Sequence, residues 1–284
     1  MDIQWALVFF LLLVGMGCGT FVASIITTEW LGKVKQIRSI SMIISLVILA
    51  IGGLTSVLHL THPERIFGAL SHPTSGIFVE STMLGLLGLV IIIYLVALKR
   101  KATEGSLKII GTIGIIPAVL LAFAIGNTYV MASRPAWDTL LLPLYYLASA
   151  SVMGCVIVSI LAARSKGTDA KAVIGLNRAT LISLAVQTVL IIAYVIYLSL
   201  APFPDASRSA SRLLTGDLTL YFWGGIVLLG ILVPSILVIQ IIKKKDELKI
   251  YFTRFGVSLF SILVGGVAFR MIMFTLGTGI KQYF

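Results

Sequence analysis

Histidine, cysteine and acid are all scarce in this 284-residue chain, which has three histidines, two cysteines and 11 aspartates plus glutamates. Each shortage removes a chemistry. An iron–sulfur cluster held by this chain alone needs four cysteines, whereas Cys18 and Cys155 lie far apart inside apolar runs and read as small packing residues. A membrane b-type haem is held by histidines on facing helices. His62 and His72 each precede a proline in a loop, which leaves His59 as the sole helical histidine, so no internal haem is expected. No phosphate loop, zinc motif or nucleophile elbow occurs. No protein metal site is therefore expected. The N-terminus lacks the basic region of a cleaved signal peptide, and residues 5–28 read as a retained first helix.

Hydrocarbon dominates what is present. Hydrophobic residues make up 58% of the chain and charged residues 12%, with a mean hydropathy of +1.07. That composition excludes an ordinary soluble domain. A helix needs about 20 apolar residues to cross a hydrocarbon core of about 30 Å. Eight stretches qualify: 5–28, 40–60, 77–98, 107–129, 139–163, 180–201, 221–242 and 255–278. None shows the ten-residue alternation of a membrane barrel. The expected fold is an all-α integral membrane protein, a single domain over 1–284 built as a bundle of eight transmembrane helices.

Charge orients that bundle. Sixteen of the 22 basic residues fall at the loops after spans one, three, five and seven, from Lys33, Lys35 and Arg38 to the run Lys243–Lys245 with Lys249 and Arg254. The opposite side carries only Arg65, Arg134, Arg208, Arg212 and Lys281, and Arg270 lies within span eight. The positive-inside rule places the basic loops in the cytoplasm and both termini outside. The net charge of +11 follows from this asymmetry and from attraction to an anionic leaflet. It makes no case for nucleic acid, and the bilayer is the expected partner.

Polar chemistry concentrates in residues 59–80, HLTHPERIFGALSHPTSGIFVE, which hold all three histidines, Arg65 and Glu80. With this orientation span two runs outward to His59 and span three starts near Glu80. Span four runs outward to Asn127 and Tyr129, and Arg270 lies about 22 Å along span eight from its cytoplasmic end. Separate helices thus deliver His59, Glu80, Asn127, Tyr129 and Arg270 to the outer third of the bundle. Ionisable groups at such depth usually face protein or water and form sites. Gly52, Thr55, Ser56 and His59 share one face of span two, which should meet another helix. Gly15 and Gly19 form a GxxxG packing pair, and Ser183, Gln187 and Tyr194 read as interhelical glue on span six. The loop 202–220 is long and charged, which suits docking of another protein.

His59-Leu60-x-x-Pro63-x-Arg65-x-Phe67-x-x-Leu70, followed by Glu80 opening the next helix, resembles the membrane-anchor subunit of bacterial dimethyl sulfoxide reductases, the DmsC family. Tyr129 with Pro135-Ala136-Trp137 is similar to that family's exit from helix four, and Gly265 to Arg270 to its last-helix motif. One position departs: the family tends to carry an acid where this chain has Gly266. The resemblance implies a multi-pass subunit of the bacterial inner membrane in anaerobic respiration. Such a subunit oxidises menaquinol to menaquinone and passes electrons to an iron–sulfur partner, which feeds a molybdopterin catalytic subunit. It matches the family's quinol-site histidine and glutamate to His59 and Glu80.

Quinol oxidation releases two protons and two electrons, and a carboxyl group in an apolar setting suits proton acceptance. Glu80 is expected to take protons, His59 to hydrogen-bond quinol or relay a proton, and Arg270 to orient or balance charge. Tyr129, Asn127 and Arg65 complete the expected quinol-binding set. Such a chain is not a complete enzyme by itself. A buried Arg and Glu would equally serve a transporter or channel for a small anion or weak acid, and a passive anchor without quinol chemistry is a third reading.

Overall fold

The computed structural model describes residues 4–59, 75–165, 170–243 and 248–277, with the backbone alone at 58–59, 170 and 248–251. Among these residues there are helices and no strands, as lipid demands: a backbone without water must satisfy its own N–H and C=O groups. The helices are α1 Trp5–Ile25, α2 Arg38–His59, α3 Gly76–Lys99, α4 Glu104–Asn127, α5 Leu141–Arg164, α6 Ala170–Leu200, α7 Pro204–Leu214, α8 Val233–Lys243 and α9 Leu248–Leu276. Two π-helical stretches extend this set, Ile26–Trp30 after α1 and Leu220–Leu232 before α8. Pro234, which has no N–H to give, stands where the wider winding returns to α. Eight helical segments are long and apolar enough to cross a membrane.

The expected spans are all present, with shifted ends. The sixth begins at Ala170 rather than near 180, because Asn177 and Thr180 are buried in the bundle instead of standing in a loop. The stretch expected as a charged loop at 202–220 contains α7. Pro204 occupies its first turn, where a missing N–H costs nothing. Ala206, Ala210 and Leu213 face inward, while Arg212 donates to Asp217 at 2.9 and 2.6 Å. That guanidinium holds the Asp217 carboxyl below the usual carboxylate range. α7 therefore packs against α6 and the π-helical stretch Leu220–Leu232 at the end opposite the basic loops.

α1 and α5 are the most buried spans, and α1 touches α2, α4, α5 and α9. Backbone proximity explains the glycines. A Cβ on Gly19 would stand 1.8 Å from the Ala150 carbonyl oxygen, and one on Gly154 would stand 2.1 Å from Gly19. The second glycine of the expected GxxxG pair thus seats α1 on α5. Gly52 packs likewise against Leu13 and Val14 of α1, so this member of the small stripe of α2 meets a helix. On α6, Ser183 pairs with Ser151 at 2.8 Å, Gln187 donates to the Tyr145 hydroxyl at 3.1 Å, and Tyr194 donates to the Ala136 carbonyl at 2.8 Å. That face is glue.

Candidate functional site

Glu80 sits in the second turn of α3, whose start is fixed by Ser75 accepting the Phe78 N–H at 3.2 Å. Its side chain turns inward and only 9% of the residue is exposed. Thr128, just past the end of α4, donates its hydroxyl to Glu80 Oε1 at 2.6 Å and also lies 3.0 Å from the Ala124 carbonyl. One hydroxyl hydrogen serves these two acceptors, so the bond to Glu80 is readily exchanged. A Cβ on Gly76 would lie 2.6 Å from Thr128, so only glycine lets α3 begin this close to α4.

Arg270 on α9 is fully buried, at 0% exposure. Nη1 donates to the Gly266 carbonyl at 3.0 Å and Nη2 to the Leu11 carbonyl at 3.2 Å. The guanidinium carbon stands 4.8 Å from the Tyr146 ring centroid, a cation–π contact in a desolvated setting. Glycine on its own helix gives it room: a Cβ on Gly266 would lie 3.3 Å from Nη1. Where the resembled family tends to place an acid, this chain offers the Gly266 carbonyl. No carboxylate contacts Arg270 among the described residues. Arg270 Nε and the Tyr146 hydroxyl are both buried without a hydrogen-bond partner among those residues, an arrangement that costs free energy unless something else satisfies it.

Tyr129 packs against the core that contains Tyr146. Its ring lies edge-on to Trp137 and to Phe274, each at 5.4 Å. Burial disfavours ionisation of its hydroxyl and lifts its pKa above the ordinary tyrosine range, and the charges of Tyr146 and Glu80 add to the effect. Trp137 donates to the Met273 carbonyl at 2.9 Å and carries the Arg134 guanidinium 4.2 Å above its ring. A Cβ on Gly277 would meet Trp137 at 2.1 Å, so glycine at the end of α9 makes space for the indole. The Tyr129 and Pro135-Ala136-Trp137 segments singled out in the sequence therefore form one aromatic wall.

Of the expected residues, Glu80 meets Thr128, Arg270 meets Tyr146, and Tyr129 packs against the core that contains Tyr146. Asn127 is not among them: it is exposed at the end of α4, and the next residue is the one that turns to Glu80. α2 ends at His59, described in backbone only, and Arg65, His62 and His72 lie outside the described residues. Thr128 and Tyr146 were not anticipated. The adjacent tyrosines Tyr145-Tyr146 within span five were the available signal for the second.

A second polar cluster occupies the basic end. Arg38 donates to both oxygens of Glu29 at 2.6 and 2.8 Å and to Glu104 at 3.0 and 2.6 Å. Tyr94 and Thr28 donate to Glu29 Oε1 at 2.6 and 2.9 Å. The Glu29 side chain is 1% exposed and that of Glu104 62%, so the network runs from core to surface. Four segments meet there: the π-helical turn after α1, then α2, α3 and α4. Its sequence signal was an acid at the end of an apolar run, with Arg38 nine residues on.

A protein-family profile described as "Polysulphide reductase, NrfD" matches residues 1–278, the whole of the helical bundle. No curated protein matches the chain. Proteins of that family are quinone-interacting membrane subunits of reductase complexes and work with iron–sulfur and molybdenum-containing catalytic subunits. Eight membrane-length helices, all within the matched range, agree with that assignment. The chain belongs to the NrfD polysulphide reductase family.

Proposed function

We propose that this chain is the menaquinol-oxidising anchor of an anaerobic respiratory reductase in the bacterial inner membrane, of the dimethyl sulfoxide reductase type. Its termini and quinol site would face outward. The observation that carries the reading is a carboxyl group buried in an apolar bundle whose one hydrogen-bond donor among the described residues is the exchangeable Thr128 hydroxyl, with an aromatic wall following Thr128 in the chain. The residues fit a quinol. Tyr129, Trp137 and Phe274 supply an apolar aromatic flank for a flat head group, and the unpartnered Tyr146 hydroxyl and Arg270 Nε offer hydrogen bonds to an oxygen.

Quinol supplies two electrons and two protons. Glu80 accepts a proton, helped by Thr128, whose hydroxyl turns back to the Ala124 carbonyl once the carboxyl is neutral. Arg270 holds fixed positive charge near the quinol oxygens, where developing negative charge is stabilised. His59 provides a second hydrogen bond or relay, and Arg65 belongs to the same quinol-binding set. Both electrons leave to an iron–sulfur subunit, and a molybdopterin subunit performs the terminal reduction.

The test is Glu80→Gln in the assembled complex. Menaquinol oxidation should fall at least about 100-fold, the scale of a lost general base. Activity with an artificial donor that reduces the partner directly should persist. Normal menaquinol oxidation by the assembled variant would show Glu80 to be structural only.

A further inference from the structure

A cavity of ≈ 370 Å³ opens in the half of the bundle nearer the basic loops. Its floor is the seam of α1 and α5, and its sides are α4 and α6. α5 is largely buried, yet Ser151 on this seam is exposed, as are Val119 on α4 and Gly175 on α6. The gap between α4 and α6 therefore faces hydrocarbon. Small residues create the space: Ala23, Ala118, Ala122, Ala150 and Ala179 line it where larger side chains would close it. At the basic end the cavity finishes at Leu31 and the exposed Lys33.

Its polar groups are already occupied. Thr27 donates to the Ala23 carbonyl at 2.7 Å, and Ser151 pairs with Ser183 at 2.8 Å. Nothing in the walls calls for a polar head group, unlike the unpartnered atoms around Arg270. The occupant must be hydrocarbon along its length and anionic at the end that meets Lys33. A phospholipid acyl chain has that form, and the basic loops favour anionic lipids in the facing leaflet.

We propose that this cavity is a binding site for one acyl chain of an anionic phospholipid, held by the α1–α5 seam with its phosphate against Lys33. The site is separate from the quinol site. It uses α1 from Cys18 toward the basic end and α5 from Leu147 on, whereas Arg270 meets Leu11 and Tyr146. The proposal rests on the membrane reading and not on quinol chemistry. A lipid-binding readout therefore separates its failure from a failure of the Glu80 assignment.

The full chain, delipidated in detergent, can be titrated with phosphatidylglycerol or phosphatidylcholine and followed by native mass spectrometry. Wild type should bind one phosphatidylglycerol about fivefold more tightly than phosphatidylcholine, the contribution of one lysine at a membrane surface. Lys33→Gln should erase that preference. Gly175→Leu should fill the mouth and weaken both lipids about tenfold. A Cβ at Gly175 meets nothing within 4 Å, so this variant is expected to fold. Gly256→Leu is the matched control, since its Cβ also meets nothing within 4 Å. Wild-type lipid binding by Gly175→Leu would overturn the proposal, as would equal affinity of wild type for the two lipids. Displacement of the lipid by menaquinone would overturn it too, by making the cavity a second quinone site.

Discussion

Arg38→Met is the most informative perturbation of stability, because it strands a buried charge. Four of the Arg38 hydrogen bonds go to carboxylates, two to Glu29 and two to Glu104. The Glu104 side chain is 62% exposed and can turn to water and Lys35, so its loss counts for little. Glu29 has no such recourse at 1% exposure. Breaking a buried pair from one side costs about 3–5 kcal/mol. Tyr94 and Thr28 still donate to Glu29 in the variant, which places the expected loss near the low end, about 3 kcal/mol. Adding Glu29→Gln removes the stranded charge and should return about 2 kcal/mol, a coupling typical of contacting groups. The assay is reversible unfolding of wild type, both single variants and the double variant in mixed micelles titrated with a denaturing detergent. Tryptophan fluorescence can follow it, since Trp30 donates to Thr112 beside this cluster. A loss below about 1 kcal/mol for Arg38→Met, the range of exposed pairs, would refute the reasoning. So would a double variant no more stable than Arg38→Met alone.

Other outcomes follow from the same geometry. Reporter fusions after residues 101 and 245 should read cytoplasm and a fusion after 208 the outside; a cytoplasmic reading at 208 would reverse the proposed orientation. The isolated subunit should carry no stoichiometric haem in its optical spectrum, and a bound b-type haem would defeat direct transfer from quinol to a partner cluster. Gly19→Ala should destabilise the bundle by about 1–3 kcal/mol, the cost of overpacking, because its Cβ would stand 1.8 Å from the Ala150 carbonyl oxygen. An unchanged unfolding midpoint would show that α1 and α5 separate freely. Substituting His59 should slow menaquinol oxidation in an assembled complex while sparing an artificial donor.

The spans were legible because lipid enforces length and hydrophobicity, two properties a sequence displays directly. α7 was not, since an 11-residue helix with Asp205, Arg208 and Arg212 has the composition of a loop. The first turns of α6 were hidden for a related reason: Lys171 and Arg178 are exposed there while Asn177 between them is buried. Within the candidate site, Glu80 and Arg270 stood out as ionisable groups in hydrocarbon, and depth alone grouped them with Tyr129. Asn127 shows where depth fails. Successive helical residues turn by about 100°, so a one-residue step exchanges the outward Asn127 for the inward Thr128. Tyr146 escaped notice because a tyrosine in a span has many uses, and only its place under the Arg270 guanidinium singles it out.

The guanidinium of Arg270 also bears on how the chain is made. It belongs to a span synthesised well after α1 and α5, and an arginine in a lone helix raises the cost of membrane insertion, by at most about 2.5–3.5 kcal/mol at the centre and by less in the outer third where Arg270 stands. Its hydrogen-bond acceptor on α1, Leu11, and its aromatic platform on α5, Tyr146, are synthesised long before it. α9 thus becomes a stable membrane helix by joining a cradle that its predecessors have already built. A nascent chain that reaches this point with α1 and α5 wrongly apposed offers the arginine no berth and leaves a costly charge in lipid.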